Sequence, residues 1–275
     1  MLTDYHVHLR PDERENTAQM FFTRSNAERY REHAAERGIE ELGVAEHVYR
    51  FHQALEVWDH PFWREHALDD LDDYCAFVRE ETDLKLGIEA DFIPGREDRM
   101  ANLLEARDWD YVVGSIHFVG DESLDTEEFS VWTKTASADH VWQRYFETLA
   151  EAGQSGLFDI LAHPDLVKVW GKDRPLPEGD LRRFYYPAME VIADCDVAVE
   201  VSTAGFRKPV GEIYPAPAFL EMVIDAGKPI ALSSDAHTPD LVGHEYERAV
   251  ELLDSMGVKE LAVFEQRERR MEPLG

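Results

Sequence analysis

Asp4-Tyr5-His6-Val7-His8 sets two imidazoles two residues apart inside what reads as a strand near the amino terminus. Side chains two apart on a strand share a face, with their backbones about 6 to 7 Å apart, so both rings can converge on one cation. A His-x-His pair alone is as often a half-exposed polar pair, and it gains weight only from what else the sequence supplies. Further metal-capable side chains stand at the carboxyl ends of later apolar runs: His47, Glu89 with Asp91, His117, His163, Glu200, and Asp235 with His237. Six of the twelve histidines fall at such ends, too many for independent accidents. Nitrogen and carboxylate donors without thiolate suit zinc, manganese or iron. At three or four protein ligands per ion, the set is large enough for two or three divalent ions, and a carboxylate such as Glu89 can bridge two of them.

The elements that must position these residues follow from the apolar pattern. Strand-like runs cover 2–8, 41–47, 84–92, 111–118, 158–163, 197–202 and 229–235, with a short extra strand at 261–264. Amphipathic helices fit 26–37, 67–81, 97–107, 138–152, 181–193, 216–226 and 239–255. Gly38 and Gly227 stand where left-handed helix ends are expected. Alternating strands and helices predict a parallel α/β architecture. In a parallel barrel all strand ends open on one face, where active sites lie, so residues far apart in sequence meet there. No repeat or linker divides the chain, and residues 1–275 read as a single domain.

The charge balance narrows the partners. There are 57 acidic against 28 basic side chains, a formal net charge of −29, which repels a nucleic-acid backbone. No run approaches the ~20 apolar residues of a membrane span, and Met1 leads directly into a strand rather than a signal peptide, so the expectation is a cytoplasmic protein without a membrane partner. The two cysteines, Cys75 and Cys195, have no metal or redox spacing and read as buried free thiols. Oligomeric state is not legible.

In the order Asp4-Tyr5-His6-Val7-His8, Gly43-Val44-Ala45-Glu46-His47, Gly87-Ile88-Glu89-Ala90-Asp91, Gly114-Ser115-Ile116-His117-Phe118, Ala162-His163-Pro164-Asp165, Thr203-Ala204-Gly205-Phe206-Arg207-Lys208-Pro209 and Ser233-Ser234-Asp235-Ala236-His237, the chain resembles the PHP (polymerase and histidinol phosphatase) superfamily, and within it the stand-alone histidinol-phosphatase branch. That resemblance implies a distorted (β/α)7 barrel with its metal cluster at the carboxyl face of the strands. It implies His6, His8, Glu89 and Asp235 for a first ion, Glu89, His117 and His163 for a second, and His47 with His237 for a third. The family commonly adds a histidine to the third site eight residues beyond the first one. This chain has Arg14 there, and Asp12 or Glu13 from the same loop is the substitute.

The expected activity is hydrolysis of a phosphate monoester, L-histidinol phosphate first among candidates, by a hydroxide bridging two ions and attacking phosphorus in line. Arg207 is the leading phosphate ligand, because a planar guanidinium donates two parallel hydrogen bonds and Gly205 permits a turn that aims it inward. Lys168 and Lys208 are secondary candidates. His237 and Asp235 are candidates for giving the leaving alkoxide its proton, and spacing does not decide between them. Residues 49–58 and 121–132 are placed to supply aromatic walls and acceptors. Three other readings compete: a related phosphoesterase with a different small ester or nucleotide, an amidohydrolase barrel, and a non-catalytic metal module. Arg207 and Lys208 argue against the second, and the nearly complete ligand set against the third.

Overall fold

The computed structural model describes residues 1–13, 15–133 and 137–274. Seven parallel strands run β1 (Leu2–Asp4), β2 (Ile39–His47), β3 (Lys85–Asp91), β4 (Tyr111–Ser115), β5 (Ile160–Leu161), β6 (Ala198–Ser202) and β7 (Ile230–Ser233), adjacent in sequence order. Strands covered on both faces lose the polar alternation of a half-exposed sheet, and β4, β6 and β7 are buried at every position. The helices α1 (Arg24–Glu36), α2 (Leu71–Glu81), α3 (Glu97–Glu105), α4 (Ala138–Gln154), α5 (Arg182–Ile192) and α6 (Pro217–Asp225) supply the crossovers, and α7 (Tyr246–Ser255) follows the last strand of the barrel.

The seam between β1 and β7 closes irregularly, which is the distortion. Beyond Asp4 the chain stays between its neighbours through single contacts: Ala45 N donates to Val7 O at 2.8 Å and His8 N to Ala236 O at 2.8 Å. Buried Asp4 stitches the seam by accepting from Ser234 N at 3.0 Å, Ser234 Oγ at 2.5 Å and Gly243 N at 3.2 Å. Burial pushes the Asp4 carboxyl up to about 6 although these hydrogen bonds pull it down.

The lumen is plugged rather than hollow. Tyr5, Tyr111 and Phe264 fill it among small residues, Ala45, Ala162, Ala198 and Ala231. A Cβ at Gly87 would lie 2.4 Å from the Tyr111 ring, and one at Gly43 2.3 Å from its hydroxyl oxygen, so the aromatic plug requires glycine on both facing strands. The hairpin of β8 (Glu260–Glu265) and β9 (Glu268–Pro273) closes the opposite, amino-terminal end, with Arg267 N on Asp110 O at 2.9 Å and its guanidinium on Asp159. The extra strand expected at 261–264 is therefore real but lies outside the barrel sheet.

Two helices differ from expectation. The one expected at 67–81 starts at Leu71, because Leu68 and Asp69 both donate to Arg50 O at 3.0 Å and Asp70 caps the helix through Asp72 N and Asp73 N. The one expected at 239–255 breaks into a 3-10 turn and α7, where Gly243 adopts φ +63° while its N–H turns to Asp4. Gly38 and Gly227 do take left-handed conformations. No helix among the described residues is long and apolar enough to cross a membrane. Cys75 and Cys195 are free thiols, both only partly buried.

Candidate metal centre

The strand ends deliver their polar side chains to one mouth. His47 ends β2 and pairs in register with Glu89 on β3. His117 lies two residues past β4, and His163 and Asp235 two residues past β5 and β7, with φ of +24° and +51° that turn their side chains back over the barrel. Tyrosines on the surrounding helices tie this backbone down. Tyr30 Oη donates to His8 O at 2.8 Å, Tyr74 Oη to Val44 O and Gly87 O at 3.1 and 2.9 Å, and Tyr145 Oη to His163 O at 3.3 Å.

Glu89 is the hub. Its Oε2 lies 3.3 Å from His6 Nε2 and 3.6 Å from His8 Nε2, while Oε1 lies 3.3 Å from His117 Nε2 and 3.2 Å from His163 Nε2. Asp235 Oδ1 closes the first group at 3.4 Å from His8 Nε2 and 3.8 Å from His6 Nε2. A third group forms where His47 Nε2 and His237 Nε2 approach to 3.4 Å, with Asp12 Oδ1 at 3.6 and 3.3 Å from them. Glu13, the other candidate from that loop, accepts from Asn16 Nδ2 at 2.8 Å instead.

His6 Nε2 and His8 Nε2 are buried without any hydrogen-bond partner, while His47 Nδ1 meets Glu89 Oε2 directly. An orphaned buried polar atom costs about 1 to 3 kcal/mol, so two imidazole nitrogens left bare between the Glu89 and Asp235 carboxylates mark a cluster built for cations. Two of the far ring nitrogens are already committed: His6 Nδ1 to Glu200 Oε1 at 2.8 Å and His117 Nδ1 to Asp91 Oδ1 at 2.9 Å. Such carboxylates select the tautomer that turns the free nitrogen to a metal. Glu200 and Asp91, metal-capable by sequence, thus orient histidines rather than join the groups. Glu46, which sequence reasoning missed, stands 4.0 Å from His8 Nδ1 and takes the Leu9 and Arg10 N–H groups at 2.7 and 3.2 Å. Its only signal was its place beside His47.

Without ions the cluster balances its own charge. Burial opposes a proton on His6, but Glu200, Glu89 and Asp235 drive its pKa well above the ordinary value. Burial likewise opposes charge on His117, yet Glu89 and Asp91 push it up to about 10. Burial would raise Glu89, but His47, His6 and His117 hold it well below the carboxylate range. Burial, with His47 and His237 beside it, keeps His8 low.

Residues 19–204 match the family described as "PHP domain". The chain belongs to the PHP family. It is 33% identical over 240 residues to a Deinococcus radiodurans protein named "Probable histidinol-phosphatase", covering 85% of this chain and 89% of that one. It is 22% identical to the histidinol-phosphatase of Lactococcus lactis, over 95% and 93% of the two chains. In fold it is similar to the crystal structure of histidinol phosphate phosphatase from Lactococcus lactis complexed with zinc, L-histidinol and phosphate. The TM-score is 0.70 at 19% identity, with 98% of each chain covered.

In this PHP chain a cavity of about 520 Å³ opens above the cluster, and the sequence-expected phosphate ligands divide around it. Lys208 lines the cavity. Arg207 does not: its guanidinium donates to Ser234 O at 2.8 Å and to Asp235 O, bracing the turn that carries Asp235. Lys168 is corrected outright. It is buried, with its ammonium on Glu212 Oε2 at 2.7 Å, Ile213 O at 2.8 Å and Asp165 Oδ2 at 2.9 Å, so its three N–H donors are already spent on the protein. Segments 49–58 and 121–132 do contribute walls, through Tyr49 and through Ser123 to Glu128. Arg14, at the position where PHP proteins commonly carry a histidine, lies outside the described residues.

Proposed function

We propose that residues 1–275 form one catalytic unit, a metal-dependent phosphomonoesterase whose substrate is L-histidinol phosphate. The observation that carries the reading is Glu89, whose Oε2 faces His6, His8 and His47 and whose Oε1 faces His117 and His163, beneath a cavity of substrate size. The kinship to proteins named histidinol-phosphatase, one of them 33% identical, supports the substrate.

We assign His6, His8, Glu89 and Asp235 to a first ion, Glu89, His117 and His163 to a second, and His47, His237 and Asp12 to a third. Divalent ions held there, zinc, manganese or iron, would bring the pKa of water towards ~7 and neutralise phosphate oxygens. The protein's own groups do the rest. Glu200 and Asp91 keep His6 and His117 in one tautomer, and Glu89 stands between them. Lys208 meets the phosphate at the mouth, and Arg207 is kept as a second phosphate ligand that reaches it only by turning its guanidinium away from the Ser234 and Asp235 carbonyls. Of the two proton-source candidates His237 fits, with its Nδ1 3.1 Å from the Asp235 carbonyl. Burial of the Asp235 carboxyl is outweighed by His6, His8 and His237, which hold it well below its ordinary range and leave it no proton to give.

Phosphate release by zinc- or manganese-loaded protein, from L-histidinol phosphate beside a panel of other phosphomonoesters, tests this. A kcat/KM of about 10⁴ M⁻¹s⁻¹ or above for L-histidinol phosphate, abolished by chelator, is the expected result. Equal rates on every ester would overturn the substrate, and no release from any would overturn the phosphatase.

A further inference from the structure

The cavity that receives a phosphate dianion is itself lined with acid. Asp125, Glu127 and Glu128 stand along one wall, and Lys208 is the one lysine or arginine among the described residues that line it. Glu127 is neutralised by Arg174, which in turn stacks on Trp170 at 4.8 Å. Asp125 has no such partner. It is half-buried, and among the described residues its one side-chain contact is a hydrogen bond accepted from Ser123 Oγ at 3.1 Å. Its loop is fixed to the metal-ligand backbone: Leu124 N donates to His117 O at 2.9 Å, Ser123 N to Phe129 O at 2.9 Å, and Thr126 N to Ser123 Oγ at 3.2 Å. The backbone that carries Asp125 is thereby fixed, and the carboxylate itself is held by the Ser123 Oγ hydrogen bond. Its charge is felt at His117 and at Tyr214 across the cavity.

An unneutralised carboxylate beside a phosphate site repels every simple phosphate ester. It becomes favourable only when the substrate carries its own positive charge at the end remote from phosphorus. We infer that Asp125 is the specificity-determining residue of this cavity, pairing with a substrate ammonium or imidazolium and so selecting zwitterionic phosphate esters against sugar phosphates and nucleotides. Tyr49, stacked on His47 at 4.7 Å, and Phe62 supply flat apolar surface for the carbon frame between the two charges. The inference rests on the phosphatase reading above and adds to it the part of the substrate that is recognised.

The test compares wild type with Asp125→Asn and Asp125→Glu. Two substrates are cationic, L-histidinol phosphate and O-phosphorylethanolamine, and two have neutral tails, glycerol 3-phosphate and 4-nitrophenyl phosphate. Losing one charged hydrogen bond predicts a fall of about 10- to 100-fold in kcat/KM on the cationic pair for Asp125→Asn, carried by KM. The neutral pair should stay level or improve, inhibition by L-histidinol should weaken while inhibition by inorganic phosphate holds, and Asp125→Glu should recover part of the loss. Bound metal and melting temperature serve as folding controls. Equal losses on all four esters, or none on the cationic pair, overturn the inference. If wild type prefers phosphorylethanolamine and ignores L-histidinol phosphate, the proposed substrate falls while the Asn contrast still supports Asp125. If wild type prefers neutral esters, both fall.

Discussion

Glu200 Oε1 stands 2.8 Å from His6 Nδ1, and this contact decides which nitrogen of His6 faces the metal groups. The other oxygen, Oε2, accepts from His163 N at 2.6 Å, so one carboxylate aligns histidines from two groups. Loss of such an orienting partner typically costs about 10- to 100-fold in metal affinity. Glu200→Gln should fall near the lower end and Glu200→Ala near the upper, with His6 and His163 untouched in sequence. Competition with a zinc-sensitive dye measures it, and an unchanged affinity in Glu200→Ala would show that His6 is oriented by something else.

Asp12 lies on an exposed loop yet sends Oδ1 to both His47 and His237. Arg50, itself buried, holds the same oxygen at 2.5 Å. Asp12→Ala should remove the third ion and leave the first two, at a stability cost of about 1 to 2 kcal/mol for the hydrogen bond lost to the buried Arg50 guanidinium. Glu13→Ala should change neither. Metal content by mass spectrometry decides between them, and retention of all ions in Asp12→Ala would remove Asp12 from the centre.

What was legible in sequence was local. His6, His8, His47, Glu89, His117, His163, Asp235 and His237 could be found because each stands at or just past the end of an apolar run, and parallel topology gathers such ends without further information. Lys168 could not be read correctly, since its partners Glu212 and Ile213 lie more than forty residues away on another loop. Arg207 was expected to reach phosphate through the freedom of Gly205, but the carbonyls it meets belong to Ser234 and Asp235. The tyrosines that hold the ligand backbone were invisible for the same reason: Tyr30, Tyr74 and Tyr145 read as apolar positions of amphipathic helices, and only packing gives their hydroxyls partners. The helix break at Gly243 reflects the needs of Asp4, far away in sequence.

His117 titrates near 10 in the metal-free protein, where burial is outweighed by Glu89 and Asp91, against ~6.5 in an unfolded chain. Its proton therefore stabilises the fold fully below pH ~6.5, and the contribution is lost as pH rises towards 10, because the folded state holds a proton the unfolded chain has released. Chelator-treated protein should melt at progressively lower temperature from pH 6.5 to 9.5. Metal binding displaces that proton, so zinc uptake at pH 8 should release protons into buffer and the loaded protein should lose this pH slope. Calorimetry in buffers of different ionisation enthalpy reads the release. A melting temperature that stays level or rises for the chelated protein would mean that His117 is neutral there.

Gly87 and Tyr111 couple the barrel plug to the chemistry. A Cβ at Gly87 would sit 2.4 Å from two atoms of the Tyr111 ring, which fills the lumen and has no free side to move to. Glu89 follows two residues later on the same strand, so a strand pushed outward at Gly87 carries the hub carboxylate with it. Gly87→Ala should cost about 1 to 3 kcal/mol as overpacking. It should also weaken metal binding, although residue 87 touches no ligand. Tyr111→Leu opens space where Gly87→Ala needs it, so the double variant should be more stable than the sum of the two losses predicts, with a coupling of about 1 kcal/mol or more. Urea unfolding of the four proteins, read beside zinc affinity, tests both halves. If the two losses simply add, the strand relaxes around the methyl group without meeting Tyr111. If stability couples but zinc affinity in Gly87→Ala equals wild type, Glu89 is positioned by its histidine partners alone and not by the plug.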